Sequence, residues 1–148
     1  MQPNLARVTQ QPIDPGRMLS GTLSQADGAA LLFWGVVRNE NDGRPVAHLE
    51  YSAYAQMAER EMQRIADEAR ERFGTGAIHV VHRVGKLEIG EASVAIAVAS
   101  PHRGEAYEAS RYVIEELKRR VPVWKREGYL DGETEWVPGF TPQLQEAR

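Results

Sequence analysis

The sequence predicts an α+β fold, with two main helices packed on a mostly antiparallel sheet. Two segments repeat apolar residues at three- and four-residue intervals, as the buried face of a helix does. Several short apolar or alternating segments bounded by turn residues surround them, which is typical of strands. The 148 residues, 42% of them hydrophobic, suit a single domain spanning 1–148. We expect loose tails over 1–7 and 141–148.

The first third of the chain predicts mainly strands. A short apolar stretch at 5–8 favours a short strand. Residues 29–37 are almost continuously apolar, which favours a strand buried on both faces, with Gly35 at a bulge or a close approach. Asn41-Asp42-Gly43 is a turn signal, and 46–54 alternates as a half-buried strand does. We expect the strands at 29–37 and 46–54 to pair as a hairpin.

The middle of the chain predicts a helix followed by two strands. The apolar spacing places the helix at 56–73, and Gly74 is suited to end it. Residues 77–84 and 92–100 follow as strands. The second of these is small and apolar throughout, which indicates a central position in the sheet. The residues between them, 85–91, predict a turn-rich connection.

The last third predicts a second helix and a C-terminal hairpin. The helix spans about 103–120, and Ser100 is placed to cap its start. Residues 121–127 indicate an extended segment. Asp131-Gly132 is a strong hairpin turn signal, so 133–137 is expected to be the return strand.

Composition excludes several classes of protein. The chain has no cysteine, which removes disulfides, thiolate metal sites and a cysteine nucleophile. No apolar run approaches the roughly 18 residues that a membrane span needs, and the N-terminus lacks the apolar core of a secretory signal. We therefore expect a cytoplasmic protein without a membrane partner.

The common ligand-binding motifs are absent. There is no glycine-rich phosphate loop, no dinucleotide-binding glycine pattern and no nucleophile elbow. His79 and His82 fall three apart in a predicted strand, so their side chains point to opposite faces. They are more simply polar residues at a strand margin than metal ligands. We expect neither a metal nor a cofactor.

The charge pattern indicates a local cationic site on an acidic protein. Net charge is −3, which argues against a nucleic-acid coat, yet one short segment is strongly basic. Such a patch suits a discrete anionic ligand, although a solvated helix face is the usual explanation for basic residues in a row. Five of the 18 Lys+Arg fall within nine positions: Lys118, Arg119, Arg120, Lys125 and Arg126.

Two further positions favour an anion. Ser100-Pro101-His102-Arg103 lies where a buried strand ends and a helix begins, and helix N-termini attract negative charge. The simpler alternative is a capping serine with two solvated neighbours. Arg38 closes the first apolar strand, where an arginine is more commonly plain surface than part of a site. These patterns alone reach only an α+β domain with a cationic site.

Four blocks of the sequence carry a more specific signal: FWGVVRN at 33–39, IHVVHRVGKLEIGE at 78–91, SPHR at 100–103 and LKRRVPVWKRE at 117–127. In order and spacing they resemble the catalytic (large) subunit family of molybdopterin synthase, and the similarity runs from about Val8 to Val137. The VPVWKRE segment is its most specific part. The resemblance implies an α/β-hammerhead-like arrangement.

The resemblance implies a sulfurtransferase. Members take sulfur from the C-terminal thiocarboxylate of a small ubiquitin-like subunit and make the molybdopterin dithiolene from cyclic pyranopterin monophosphate. Two large subunits form a homodimer, which with two small subunits makes a heterotetramer. Lys118 matches the lysine beside the inserted tail, and Lys125 matches a second catalytic lysine. A chain without cysteine cannot carry sulfur as a persulfide, which agrees with an external donor.

Six other positions match the family's pocket. Members often carry lysine where Val36 stands, which we expect to change surface charge only, and some carry an arginine soon after the position of Val137, where this chain has none. Arg38, His102 and Arg103 match residues that hold the substrate phosphate, with the last two expected to act on a neighbouring subunit's substrate. Phe33 and Ile114 match pocket-lining positions, and Glu127 a partner to one lysine.

Two other functions are compatible with the same residues. A non-catalytic adaptor would bind a ubiquitin-like tail or another anionic ligand without turnover. A small nucleic-acid-binding domain would use the basic segment and Trp124, and its affinity would fall steeply with salt. The negative net charge disfavours the second alternative.

Overall fold

The computed structural model describes residues 2–138, which form nine strands and three helices. The α+β class predicted from the sequence is confirmed. In chain order the elements are β1 (Leu5–Thr9), α1 (Pro15–Thr22), β2 (Ala29–Val36), β3 (Glu40–Asn41), β4 (Arg44–Ala53), α2 (Ala55–Phe73), β5 (Ile78–Arg83), β6 (Gly85–Glu88), β7 (Ala92–Ser100), α3 (Arg103–Arg120), β8 (Val123–Tyr129) and β9 (Thr134–Pro138).

The first sheet has four strands in the order β1-β5-β7-β2. β1 and β5 are parallel, and the other pairs are antiparallel. Every residue of β7 is buried, as its predicted central position requires. Its side chains alternate between two cores: Val94 and Ile96 face α2 and α3, whereas Ala95 and Ala97 lie on the side of Met18 of α1. Small residues on the second side let α1 pack closely.

The second sheet has five strands, with β3-β4-β8-β9 in a row and β6 paired to β4. β3 and β4 form a tight hairpin because Asp42 and Gly43 both have positive φ, 53° and 76°, as a two-residue hairpin loop requires. Leu49 and Tyr51 of β4 point into the core that also contains α2 and α3. The two sheets therefore share this core. The predicted C-terminal hairpin is confirmed as β8 and β9.

Three strand predictions need correction. β2 does not pair with β4; it pairs with β7 at the edge of the first sheet, while β4 belongs to the second sheet. Its edge position also explains why β2 is not buried on both faces: Trp34 is 36% and Val36 46% exposed. The connection predicted at 85–91 contains β6, which pairs with β4 through Leu87 and Leu49.

The two main helices are confirmed, but not the cap of the second. α2 ends at Gly74, whose φ of 69° is left-handed and whose N–H donates to the carbonyl of Arg70. The N-cap of α3 is His102. Ser100 lies earlier, in β7, with its Oγ buried and unpartnered within residues 2–138. The side chain of Asp14 caps the additional short helix α1.

The N-terminus is more ordered than a loose tail. Leu5–Thr9 forms β1, as the apolar stretch predicted, so the expectation of a free segment over 1–7 is wrong from Leu5 onward. Asn4 already bonds to the fold, because its Oδ1 accepts from the N–H of Ile78 at 2.9 Å and its Nδ2 donates to Asp67. The tail predicted at 141–148 lies outside the described residues.

Candidate active site

A cavity of about 180 Å³ lies between the end of β2, the second sheet and the C-terminal half of α3. It is open to solvent on one side. Two of the chain's three lysines line it. Six of the eight candidate residues meet in this cavity: Phe33, Arg38, Ile114, Lys118, Lys125 and Glu127.

Three elements bring these side chains together. Ile114 and Lys118 are four residues apart on α3 and so share one face of the helix. Lys125 and Glu127 are two apart on β8 and share one face of the strand. Convergence of a helix face and a strand face places the two lysines on the walls of one cavity.

The third wall is the irregular end of β2. Its register shifts between Gly35 and Val36, which is the bulge that the sequence predicts. A Cβ on Gly35 would lie 2.7 Å from Cγ1 of Val94 and 3.2 Å from the ring of Phe33, so only glycine fits there. The bulge turns the chain so that Arg38 reaches the rim of the cavity.

The ammonium of Lys118 has a pKa below the ordinary value for lysine. Burial lowers the pKa of its ammonium, and the positive charge of Lys125 lowers that pKa further. Part of the Lys118 side chain still contacts solvent. A lysine in this state exchanges protons more readily than a surface lysine, as a group that binds an anion or acts as an acid or base requires.

Glu127 is a buried carboxylate, with 1% of the residue exposed. Its Oε1 accepts from the hydroxyl of Tyr129 at 2.6 Å, and its Oε2 accepts from Nδ2 of Asn41 at 2.7 Å. Nζ of Lys125 lies 3.8 Å from the same Oε2. Burial would raise the pKa of Glu127, but these hydrogen bonds and the charge of Lys125 hold it below the ordinary value. The cavity therefore contains an ionised carboxylate as well as its two lysines and Arg38.

Sequence reasoning missed several cavity residues. Asn41 was predicted only as part of a turn, and Tyr51 only as one position in the alternating, half-buried strand at 46–54. Both line the cavity together with Ser93 of β7. Val36 also lines it, so the prediction that a lysine at this position changes only surface charge is wrong. The alternation of residues 46–54 predicted that one face of this strand is buried, but nothing in the local sequence indicated a cavity there.

A second cleft, of about 610 Å³, adjoins the cavity between β2 and α3. Leu31 and Leu32 contribute apolar surface on the strand side, and Tyr107 on the helix side. Phe33 and Ile114 line both the cleft and the cavity. An extended, mainly apolar chain lying in this cleft would have its end near the two lysines.

Neither histidine of β5 lines this cavity. As predicted, they face opposite sides: His79 lies near Gly21 of α1, and His82 packs edge-on against Tyr51 at 5.2 Å. His82 is the penultimate residue of β5, near the end of the strand as predicted, but it is buried, with only 2% of it exposed. Between residues 2 and 138, no three His, Asp or Glu side chains form a group that could hold a metal ion.

The helices of the described part of the chain do not meet the requirements for crossing a bilayer. Within residues 2–138, none is both long enough and apolar enough to do so.

Comparison with known proteins assigns the family. The sequence model of the family described as MoaE protein matches residues 8–120, which is most of the chain. The chain belongs to the MoaE family. The resemblance inferred from the four sequence blocks is therefore confirmed.

Curated relatives and solved structures agree with this assignment. A protein of Halalkalibacterium halodurans named molybdopterin synthase catalytic subunit is 41% identical over 88% of this MoaE-family chain and 83% of its own length. One of the same name from Emericella nidulans is 41% identical over 87% of the chain and 66% of its own length. A crystal structure of molybdopterin synthase from Staphylococcus aureus superposes with a TM-score of 0.84 at 38% identity, covering 88% of this chain and 95% of that one.

The remaining two candidates of this MoaE-family chain lie elsewhere on its surface. His102 and Arg103 are exposed at the start of α3 and do not line the cavity. Arg103 and Lys118 are fifteen residues apart on one helix, which separates their backbones by about 22 Å at the helical rise. Within a single chain, these two residues and the two lysines cannot contact one small ligand.

Proposed function

We propose that this chain is the catalytic subunit of a molybdopterin synthase. It transfers sulfur from the C-terminal thiocarboxylate of a small ubiquitin-like subunit to cyclic pyranopterin monophosphate, forming the molybdopterin dithiolene. The observation that carries the proposal is the pairing of Lys118 and Lys125 in one cavity of a cysteine-free chain of the MoaE family. With no thiol to hold sulfur, the chain must receive it from a donor that enters the cavity.

Lys118 has the properties expected of the residue that meets the thiocarboxylate. A charged ammonium in a partly buried cavity stabilises an incoming anion more strongly than a surface lysine does. Transfer of the sulfur leaves an ordinary carboxylate on the small subunit, with water supplying its oxygen, and the same ammonium stabilises that product. Lys125, held beside Glu127, serves as the acid or base at the pterin.

The cleft between β2 and α3 is the proposed entry for the small subunit's tail. Its apolar walls suit a slender extended peptide, and Phe33 and Ile114 connect it with the lysine-lined cavity. A glycine-ended tail fits because it adds no side chains in the narrower cavity of about 180 Å³.

The phosphate of the pterin is assigned to Arg38 and to a second copy of the chain. Arg38 lies at the rim of the cavity, and a guanidinium binds phosphate through paired hydrogen bonds. His102 and Arg103 are exposed and far from the lysines of their own chain, which suits a role at a neighbouring subunit's cavity in a homodimer. With two small subunits, the assembly is a heterotetramer. A cytoplasmic location is part of this proposal, because the donor and the cysteine-free chain suit a reducing compartment.

The proposal is tested by reconstitution. The chain is mixed with a thiocarboxylated small subunit and the cyclic pterin, and dithiolene product is measured. Lys118→Ala and Lys125→Ala should each lower the rate by about 10²–10³, the usual effect of removing one charge stabiliser. The control is Lys86→Ala, which removes the chain's third lysine, an exposed side chain of β6, and should leave the rate unchanged.

Stability measurements separate lost chemistry from lost folding. Lys118→Ala should change the free energy of unfolding by less than about 0.5 kcal/mol, because the lysine keeps solvent contact. If the wild type binds the small subunit but forms no dithiolene, and the lysine variants lower only affinity, the chain is an adaptor and not an enzyme. Activity of Lys118→Ala within a few-fold of the wild type would contradict the role given to that residue.

A further inference from the structure

The contacts of Glu127 keep its carboxylate ionised, and two of the residues that make them have no part in the proposed reaction. These are Asn41 and Tyr129, which donate to the two carboxylate oxygens from different strands. A buried carboxylate without such donors would take up a proton instead of staying charged. The two donors therefore determine both the charge and the orientation of the group beside Lys125.

Each donor is itself fixed by neighbouring residues. Asn41 ends β3, directly before the tight turn at Asp42 and Gly43. The ring of Tyr129 lies under the guanidinium of Arg44, 3.5 Å from its centroid. The hydrogen bond to Glu127 raises the pKa of the Tyr129 hydroxyl to about 12, so it stays a donor across the working pH range. Both donors are thus in place before any ligand arrives.

We propose that Asn41 and Tyr129 are positioning residues that hold the Glu127 carboxylate ionised and aimed at Lys125, so that Lys125 enters the reaction as an oriented cation. The inference rests on the proposed function for its effect on turnover. It names a hydrogen-bond network, Asn41–Glu127–Tyr129, whose outer members touch no substrate in that proposal. Their effect should therefore reach the reaction only through Glu127 and Lys125.

Several other charged or titratable groups surround Glu127. Negative or ionisable oxygen groups come from Glu40 of β3, Tyr51 of β4 and Glu135 of β9, whose carboxylate lies 3.3 Å from the Tyr129 hydroxyl. The cations are Arg38 after β2, Arg44 of β4, Lys118 of α3 and Lys125 of β8. The nearest of these to the carboxylate oxygens is Lys125 at 3.8 Å. The cations and the two donors together favour the ionised form.

The sign of the pH effect follows from the lowered pKa of Glu127. Removing a donor removes a cause of that lowering, so the pKa rises. At a given acidic pH, a larger share of Glu127 is then protonated and Lys125 loses its counter-charge. The acid limb of the rate profile should accordingly move to higher pH.

The test uses Tyr129→Phe and Asn41→Ala in the full chain. Tyr129→Phe removes only the hydroxyl and keeps the ring under Arg44, while Asn41→Ala removes the other donor from a turn-proximal position. The matched control is Tyr112→Phe, because the Tyr112 hydroxyl donates to Glu68 at 2.8 Å in the same way but outside the cavity. Thermal unfolding of each variant confirms that it folds.

The first measurement is made without substrate. The carboxyl carbon of Glu127 is followed by 13C NMR as pH is lowered, in the wild type and the three variants. The pH at the midpoint of the Glu127 titration should be higher in Tyr129→Phe and in Asn41→Ala than in the wild type, and unchanged in Tyr112→Phe. An unchanged midpoint in both Tyr129→Phe and Asn41→Ala would overturn the inference, whatever the protein's activity.

The second measurement is turnover in the reconstituted assay. Tyr129→Phe and Asn41→Ala should each lower kcat by about three- to tenfold, which is the rate equivalent of one ordinary hydrogen bond. The KM for the small subunit should stay unchanged. Their acid limbs should shift with the NMR midpoints. A lower kcat in Tyr112→Phe of the same size would show a general structural effect and contradict the proposal. A wild type that makes no product would instead refute the proposed function and leave the NMR result standing.

Discussion

Individual residues in and behind the cavity hold unusual charge states, each with a physical cause. Burial and a like charge lower the pKa of Lys118, while hydrogen bonds and a nearby cation keep Glu127 ionised despite burial. His82 lies on the core side of β5, against Tyr51, and its Nδ1 is 2.9 Å from the carbonyl of Arg83. Burial lowers the pKa of His82 to about 4, with the charge of Lys118 adding a smaller effect. The imidazole is therefore neutral at physiological pH.

The state of His82 predicts how stability depends on pH. In the unfolded chain the histidine takes up a proton below pH 6.5, but in the folded chain only below about 4. The unfolded state thus gains protons first, and stability falls as pH drops through that window. At about 1.4 kcal/mol per pH unit, the loss from this one residue reaches about 3 kcal/mol.

Urea unfolding at several pH values measures this loss. His82→Gln lacks the imidazole, so its free energy of unfolding should fall less steeply than the wild type's between pH 6.5 and 4. His102→Gln, which removes an exposed imidazole at the start of α3, is the control for the substitution itself. Parallel curves for the wild type and His82→Gln would contradict the account of His82.

At the scale of elements, α3 must be held at a fixed distance from α2, because α3 positions Lys118. Arg120, two residues further on, joins the helices: its Nε donates to Glu61 at 2.8 Å, and its two terminal nitrogens donate to both oxygens of Glu68. Glu116 of α3 accepts from the same guanidinium. A paired guanidinium–carboxylate geometry adds directional specificity as well as attraction.

Arg120→Ala should lower the free energy of unfolding by about 1–3 kcal/mol, because three carboxylates lose a shared, partly buried partner. The control is Arg119→Ala. Its side chain is 46% exposed and, within residues 2–138, forms a salt bridge with Glu116 alone, so the free energy of unfolding should change by less than about 0.5 kcal/mol. Chemical denaturation of both variants provides the comparison. Equal losses in the free energy of unfolding would show that Arg120 has no special part in joining α2 to α3.

The elements also show how far sequence reasoning reaches. Helix periodicity located α2 and α3 closely, because their buried faces depend on local spacing. The sequence was a poorer guide to which strands pair with each other. The apolar run of β2 indicated burial on both faces, yet a sheet edge exposes Trp34 and Val36, and no local signal distinguishes the two situations. β6 was missed because its pairing with β4 is decided by tertiary contact and not by a strong strand pattern of its own.

At the scale of the whole molecule, the site exists because two sheets and one helix meet. The four-stranded sheet supplies Phe33 and Ser93, the five-stranded sheet supplies Lys125 and Glu127, and α3 supplies Lys118. Sequence resemblance identified the main chemical groups without their geometry. It could not reveal Asn41 as a partner of Glu127, because that contact arises only when β3 and β8 are brought together in one sheet. Tyr129 is a neighbour of Glu127 on one face of β8, but the extended segment predicted from the sequence ended at residue 127.

The central claim is that this cysteine-free cavity receives sulfur from a visiting thiocarboxylate, and sulfur labelling tests it most directly. The small subunit is prepared with a 34S thiocarboxylate and mixed with the chain and the cyclic pterin, with free sulfide of natural isotope composition present. The account predicts a dithiolene in which both sulfur atoms are 34S. Product containing unlabelled sulfur, or product formed when the thiocarboxylate is replaced by a carboxylate, would contradict it.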